Sequence, residues 1–126
     1  MKHTEGFLKL VADARTRVRE VGVEQALERM RHGARLIDVR EDNEWQRGHA
    51  RGARHLGRGV IERDIETAHP DHDVELILYC GGGYRSALAC DNLQRMGYTN
   101  VHSLAGGWRA WQEADAPVEG EGETPE

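Results

Sequence analysis

Cysteine is scarce in this 126-residue chain: there are two, Cys80 and Cys90, in unlike surroundings. Two such thiols make no disulfide framework, which fits a reducing compartment and excludes the small, stapled, secreted class. Lysine occurs twice, proline three times and phenylalanine once. Long apolar runs are missing as well. None approaches the roughly 18 residues of a bilayer span, and the opening MKHTEGFLKLVADARTR interrupts every apolar stretch with charge before a signal-peptide core forms. A soluble cytoplasmic protein without membrane association is expected. The seven histidines are scattered, with no Cys/His spacing of a metal site, so neither metal nor cofactor is expected.

Charge of one sign is missing from the last stretch. Six acids (Glu113, Asp115, Glu119, Glu121, Glu123, Glu126) follow Gln112, where no Lys or Arg occurs. Removing them from the 22 acids leaves 16 against 17 basic residues, so the formal charge of −5 belongs to a tail on a nearly neutral body. Residues 114–126 combine like charge, Gly and Pro with almost nothing apolar, so they cannot offset their own ordering entropy and are expected to be disordered.

What remains is of a size for one domain. Phe7, Leu8, Val11, Ala14 and Val18 recur at helical spacing and predict an amphipathic N-terminal helix over residues 4–20, stopped by Gly22. VEQALERMRHG predicts a second helix with Gly33 at its end. RLIDV (35–39) and VELILYC (74–80) read as strands buried on both faces, with ARHL and VHSL as weaker ones. Helical patterns in EDNEWQRG, GVIERDIETA, SALACDNLQRMG and GGWRAWQEA separate them. Such alternation predicts an α/β fold: a parallel sheet of about five strands flanked by helices, with the N-terminal helix added.

In such sheets ligands bind beyond the carboxyl ends of the strands. Cys80 stands at one of these ends, in LILYCGGGYRSALA. A cysteine reacts as its thiolate, a form favoured by backbone N–H groups and a helix N-terminus facing the sulfur. Gly81, Gly82 and Gly83 can take positive φ and let successive amides curl toward one centre, while Ser86 opens a helix. The plain alternative is a glycine-rich turn closing a βα unit, but three consecutive glycines cost more backbone entropy than such a turn needs.

Three stretches, LIDVREDNEWQRGHARGARHL, LYCGGGYRSALAC and GGWRAWQ, resemble the signatures of single-domain rhodaneses, the sulfurtransferase family, in order and spacing. The resemblance covers residues 21–113, between an N-terminal helix (1–20) and the acidic tail (114–126). It implies the rhodanese-like three-layer fold and a nucleophilic Cys80 that takes sulfane sulfur from a small anionic donor such as thiosulfate. The sulfur is held as a persulfide and yielded to cyanide, a thiol or a protein acceptor. Gly81, Gly82, Gly83, Tyr84 and Arg85 become the cradle, and Ser86 the start of the helix. Phosphatases and arsenate reductases of the same fold carry a longer loop between Cys and Arg, so the four residues between Cys80 and Arg85 favour sulfur over phosphate. A docked sulfur carrier with little turnover is the other alternative.

Around this loop, Asp38, Arg40 and Glu44 read as a supporting rim, and His49 as a packing and hydrogen-bonding residue. Trp108 and Trp111 are expected to be the buried face of the last helix, and Cys90 a core residue rather than a resolving thiol. From Arg47 to Arg63 five arginines face one acid. Arg58 and Arg63 are therefore candidates for steering anions to the cleft. Nucleic acid is not expected there, because no aromatics are interleaved to stack bases.

Overall fold

The computed structural model describes residues 2–120. Its main sheet contains β1 (Arg19–Val21), β2 (Arg35–Asp38), β4 (Arg54–His55), β5 (Leu76–Tyr79) and β6 (Val101–Leu104), in the order β1-β6-β5-β2-β4. Every neighbouring pair is parallel. All carboxyl ends therefore lie along one edge, and β5, the central strand, delivers Cys80 to the middle of it.

The strands alternate between two apolar layers, as a period of two requires. Ile37, Leu76 and Leu78 face one layer with Ile61 and Ile65 of α4 (Ile61–Ala68) and Cys90 and Leu93 of α5 (Tyr84–Arg95). Leu36, Ile77 and Tyr79 face the other with Ala26 of α2 (Val23–Arg31) and Trp111 of α6 (Gly107–Glu113). Sheet between helix layers is the three-layer architecture expected from the sequence. Trp111 is fully buried, while Trp108 is half-buried beside it.

Two expectations need correction. The N-terminal helix, α1 (Glu5–Arg15), is shorter than 4–20. The chain then turns, and Arg19–Val21 becomes an edge strand of the main sheet, paired with His102–Leu104. Val18, expected on the helical face, and Val21 enter opposite layers of the sheet. Strand pairing to β6 satisfies backbone groups that a longer helix would have satisfied internally, so a boundary at residue 20 cuts through β1.

The second correction concerns the tail. Residues 114–120 are ordered: Ala116 is buried, and Trp111 Nε1 donates to the Pro117 carbonyl at 2.7 Å. β7 (Val118–Glu119) pairs antiparallel with β3 (His49–Ala50). Backbone pairing and one indole N–H order a segment whose own side chains bury little. The remainder of the expected disordered tail, 121–126, lies outside the described residues.

Candidate active site

The Cys80 sulfur lies at the bottom of a cradle made by the turn from β5 into α5. Gly83 N–H donates to Sγ at 3.1 Å and Ser86 N–H at 3.3 Å. The Ser86 hydroxyl is 3.5 Å from Sγ and 2.8 Å from the Ser103 hydroxyl on β6. When the sulfur is anionic, Ser86 O–H donates to it and Ser103 O–H donates to Ser86, so three donors converge on one atom. The sulfur also faces the N-terminal turn of a 12-residue helix, the positive end of its dipole. This differs in detail from three glycine amides curling in succession. Of the three loop glycines only Gly83 has a positive φ, +100°. Gly81 and Gly82 line the space above the sulfur, where they contribute room.

The loop is clamped from three sides. From α6, Trp108 N–H donates to the Cys80 carbonyl at 2.7 Å and Arg109 N–H to the Gly81 carbonyl at 3.2 Å. This contact requires glycine at 107, where φ is +54° and a Cβ would run into the Cys80 carbonyl. From α1, Arg15 Nη2 donates to the Gly83 carbonyl at 3.1 Å. From α3 (Asp42–Gln46), Glu44 receives the Arg85 guanidinium on both oxygens, at 3.0 and 3.2 Å, and the Glu41 N–H at 2.9 Å. Burial raises the Glu44 carboxyl, but the Arg85 and Glu41 hydrogen bonds with the Arg85 and Arg40 charges outweigh it and hold the group below the ordinary carboxylate range.

Asp38 and Arg40 take structural positions. Their buried side chains pair at 2.8 Å, and Arg40 Nη2 also donates to the Gly48 carbonyl at 2.7 Å. The guanidinium lies 4.7 Å from the Trp108 ring. This pair fastens the end of β2 to the α3–β3 turn and to α6; neither residue lines the space above Cys80. His49 stacks on Trp45 at 3.4 Å with Nδ1 3.1 Å from the Trp45 carbonyl, a packing role. Cys90 is fully buried among apolar side chains, and that burial pushes its thiol well above the usual range.

The steering arginines are placed elsewhere. Arg58 pairs with Glu62 at 3.0 Å and Arg63 with Asp64 at 2.7 Å, and neither lines the cavity above Cys80. Clustering in sequence here means local neutralisation by acids one and four residues on. The cations of that cavity are Lys2, Arg85 and Arg109, joined by His3, Phe7 and Tyr84. Sequence reasoning assigned no site role to Lys2, His3, Phe7, Arg15, Ser103, Gly107 or Arg109. The GG pair ahead of α6 was the one available signal; the others come from distant segments with no motif of their own.

A family profile for the rhodanese-like domain matches residues 23–114. Thiosulfate sulfurtransferase GlpE of Haemophilus influenzae is 34% identical over 101 residues, which cover 80% of this chain and 94% of that protein. Among solved structures, a Rhodopseudomonas palustris protein of unknown function, described as a possible tyrosine phosphatase, superposes with a TM-score of 0.82 at 27% identity. The match covers 94% of this chain and 98% of that one. A thiosulfate sulfurtransferase from Pseudomonas aeruginosa gives 0.77 at 25% identity, over 89% of this chain and 22% of its own. With its five-stranded parallel sheet, its cysteine loop beyond the central strand and this extent of sequence agreement, the chain belongs to the rhodanese-like domain family.

Proposed function

We propose that this protein is a sulfurtransferase that carries sulfane sulfur as a persulfide on Cys80. The observation that carries the reading is the convergence of Gly83 N–H and Ser86 N–H on one sulfur, with the Ser86 hydroxyl 3.5 Å away, beneath a space bordered by Gly81 and Gly82. In the first step the Cys80 thiolate attacks the outer sulfur of thiosulfate. The sulfur–sulfur bond of the donor breaks, its electron pair leaves with sulfite, and an anionic persulfide remains. In the second step cyanide or a thiolate attacks the outer sulfur, the persulfide bond breaks, and Cys80 recovers its electron pair. No proton must move in either displacement, so the chemistry needs no histidine hydrogen-bonded to Cys80. Hydrogen bonds to an anionic sulfur are charge-assisted and stronger than neutral ones. Two free cysteines, one of them the nucleophile, suit a reducing cytoplasm.

The Rhodopseudomonas palustris neighbour keeps phosphate-ester hydrolysis in view as a second reading. Against it, four residues separate Cys80 from Arg85, and that guanidinium is already engaged by both oxygens of Glu44. A tetrahedral phosphate needs a wider ring of donors and a free cation. A docked carrier uses the same loading step and differs only in turnover. Intact mass after incubation with thiosulfate tests the proposal. The expected result is a gain of one sulfur atom, removed by cyanide and absent in Cys80→Ser. No adduct, together with hydrolysis of p-nitrophenyl phosphate, would overturn it in favour of the phosphatase; fast loading with negligible thiocyanate turnover would identify the carrier.

A further inference from the structure

The cavity above Cys80 is larger than inorganic substrates require. It has a volume of about 890 Å³, in the range of roughly 300–1,000 Å³ that holds organic ligands, whereas thiosulfate and cyanide are anions of a few atoms. Much of its wall comes from the start of the chain, Lys2, His3, Thr4 and Phe7, which lies outside the matched family residues 23–114.

That wall combines two chemistries. Part of the lining is aromatic: the His3 and Phe7 rings lie 4.4 and 6.1 Å from the Tyr84 ring and 5.1 Å from each other. Part is charged. The charged lining residues are Lys2, Glu44, Arg85 and Arg109, and Glu44 pairs with Arg85. Lys2 and Arg109 are left with no ion-pair partner among the described residues. The α1 wall is anchored to the body: Val11 and Ala14 are buried, Arg15 holds the Gly83 carbonyl, and Arg17 binds both oxygens of Asp91 on α5 at 2.9 and 2.8 Å.

Resting on the persulfide reading, we propose that α1, the residues preceding it and the cysteine loop together form the acceptor subsite. Its occupant is an organic thiol of short-peptide size that carries carboxylates. Lys2 and Arg109 take the carboxylates, and the Phe7, His3 and Tyr84 rings cover the apolar body, which orients the thiol toward Cys80. The acceptor thiolate attacks the outer sulfur, the persulfide bond breaks with its electron pair returning to Cys80, and the acceptor leaves as a persulfide. No oxidant or reductant is consumed.

The test begins with protein loaded by thiosulfate, checked by intact mass and freed of excess donor. Single turnovers are then followed with glutathione, a tripeptide thiol bearing carboxylates, with cysteamine, a small cationic thiol, and with cyanide. At matched thiolate concentration glutathione is expected to react at least about ten-fold faster than cysteamine. In Phe7→Ala and in Arg109→Ala the ratio of glutathione to cyanide rates is expected to fall several-fold. Arg109 is exposed, so its loss leaves the fold intact even where Phe7→Ala loosens α1. Glutathione no faster than cysteamine, or an unchanged ratio in Arg109→Ala with loading intact, overturns the acceptor subsite alone. Failure to load sulfur at all overturns the persulfide reading, and the subsite falls with it.

Discussion

The two cysteines lie in the same apolar layer at nearly the same depth, 1% exposed for Cys80 and fully buried for Cys90. Burial therefore does not distinguish them; what touches each sulfur does. Cys80 receives two backbone N–H groups, lies 3.5 Å from the Ser86 hydroxyl and opens onto a cavity. Cys90, on the α5 face turned to the core, is surrounded by apolar side chains, and desolvation holds its proton in place. Hydrogen-bond donors brought by the surrounding loop set the candidate nucleophile apart from a small hydrophobe.

The contrast breaks most completely at the proposed nucleophile. Cys80→Ser is expected to lower thiocyanate formation by about 10⁴-fold or more, as removal of a covalent nucleophile does, whereas Cys90→Ala should leave the rate alone and lower the unfolding free energy by about 1 kcal/mol. Equal losses in the two variants, measured by steady-state rates and urea unfolding, would remove the distinction. Next in size is Gly107→Ala. A methyl group forced against the Cys80 carbonyl at positive φ should cost about 2–4 kcal/mol and shift the loop, read as a lower Tm together with lost sulfur loading.

Ser86→Ala takes away the side-chain donor and keeps the amide, so loading is expected to slow by about 10- to 100-fold, the loss of one charge-assisted bond. Alkylation by iodoacetamide in the folded state sharpens the comparison further: Cys80 should be modified and Cys90 should not, with peptide mass mapping as the readout.

The smallest effect is acid sensitivity of the Glu44–Arg85 clamp. The folded Glu44 carboxyl lies below its ordinary value. Its contribution is therefore complete above the ordinary carboxylate range, about pH 4, and is lost as pH falls through the folded value. The acid-side fall in Tm is expected to be shallower in Glu44→Gln than in the unaltered protein, and identical slopes would show that the clamp adds no stability.

Much of the site was legible because it is local. Cys80 to Ser86 is one continuous segment, and the residues that make its inner wall are its own. The helical and strand periods of β2, β5 and α5 were equally plain, since each element is set by the burial of its own side chains. β1 escaped notice because Arg19–Val21 is short and its identity rests on pairing with β6, eighty residues away in sequence. β7 was hidden for the same reason: its partner, His49–Ala50, lies far upstream. The arginine-rich stretch misled in the opposite sense. Arg58 and Arg63 pair with acids close to them in sequence, and neither lines the cavity above Cys80.

By itself the sequence determined the layered α/β plan, the cysteine at the end of the central strand and the length of its loop, because apolar periodicity and loop chemistry act over a few residues. Tertiary structure alone decided how the loop is held and what borders it. Gly107 and Arg109 of α6, Ser103 of β6, Glu44 of α3 and the first residues of the chain meet around one sulfur. Parallel strands bring their carboxyl-end loops to a single edge of the sheet, whatever the distance between them along the chain, and the Arg15 and Arg17 contacts hold the first helix against that edge.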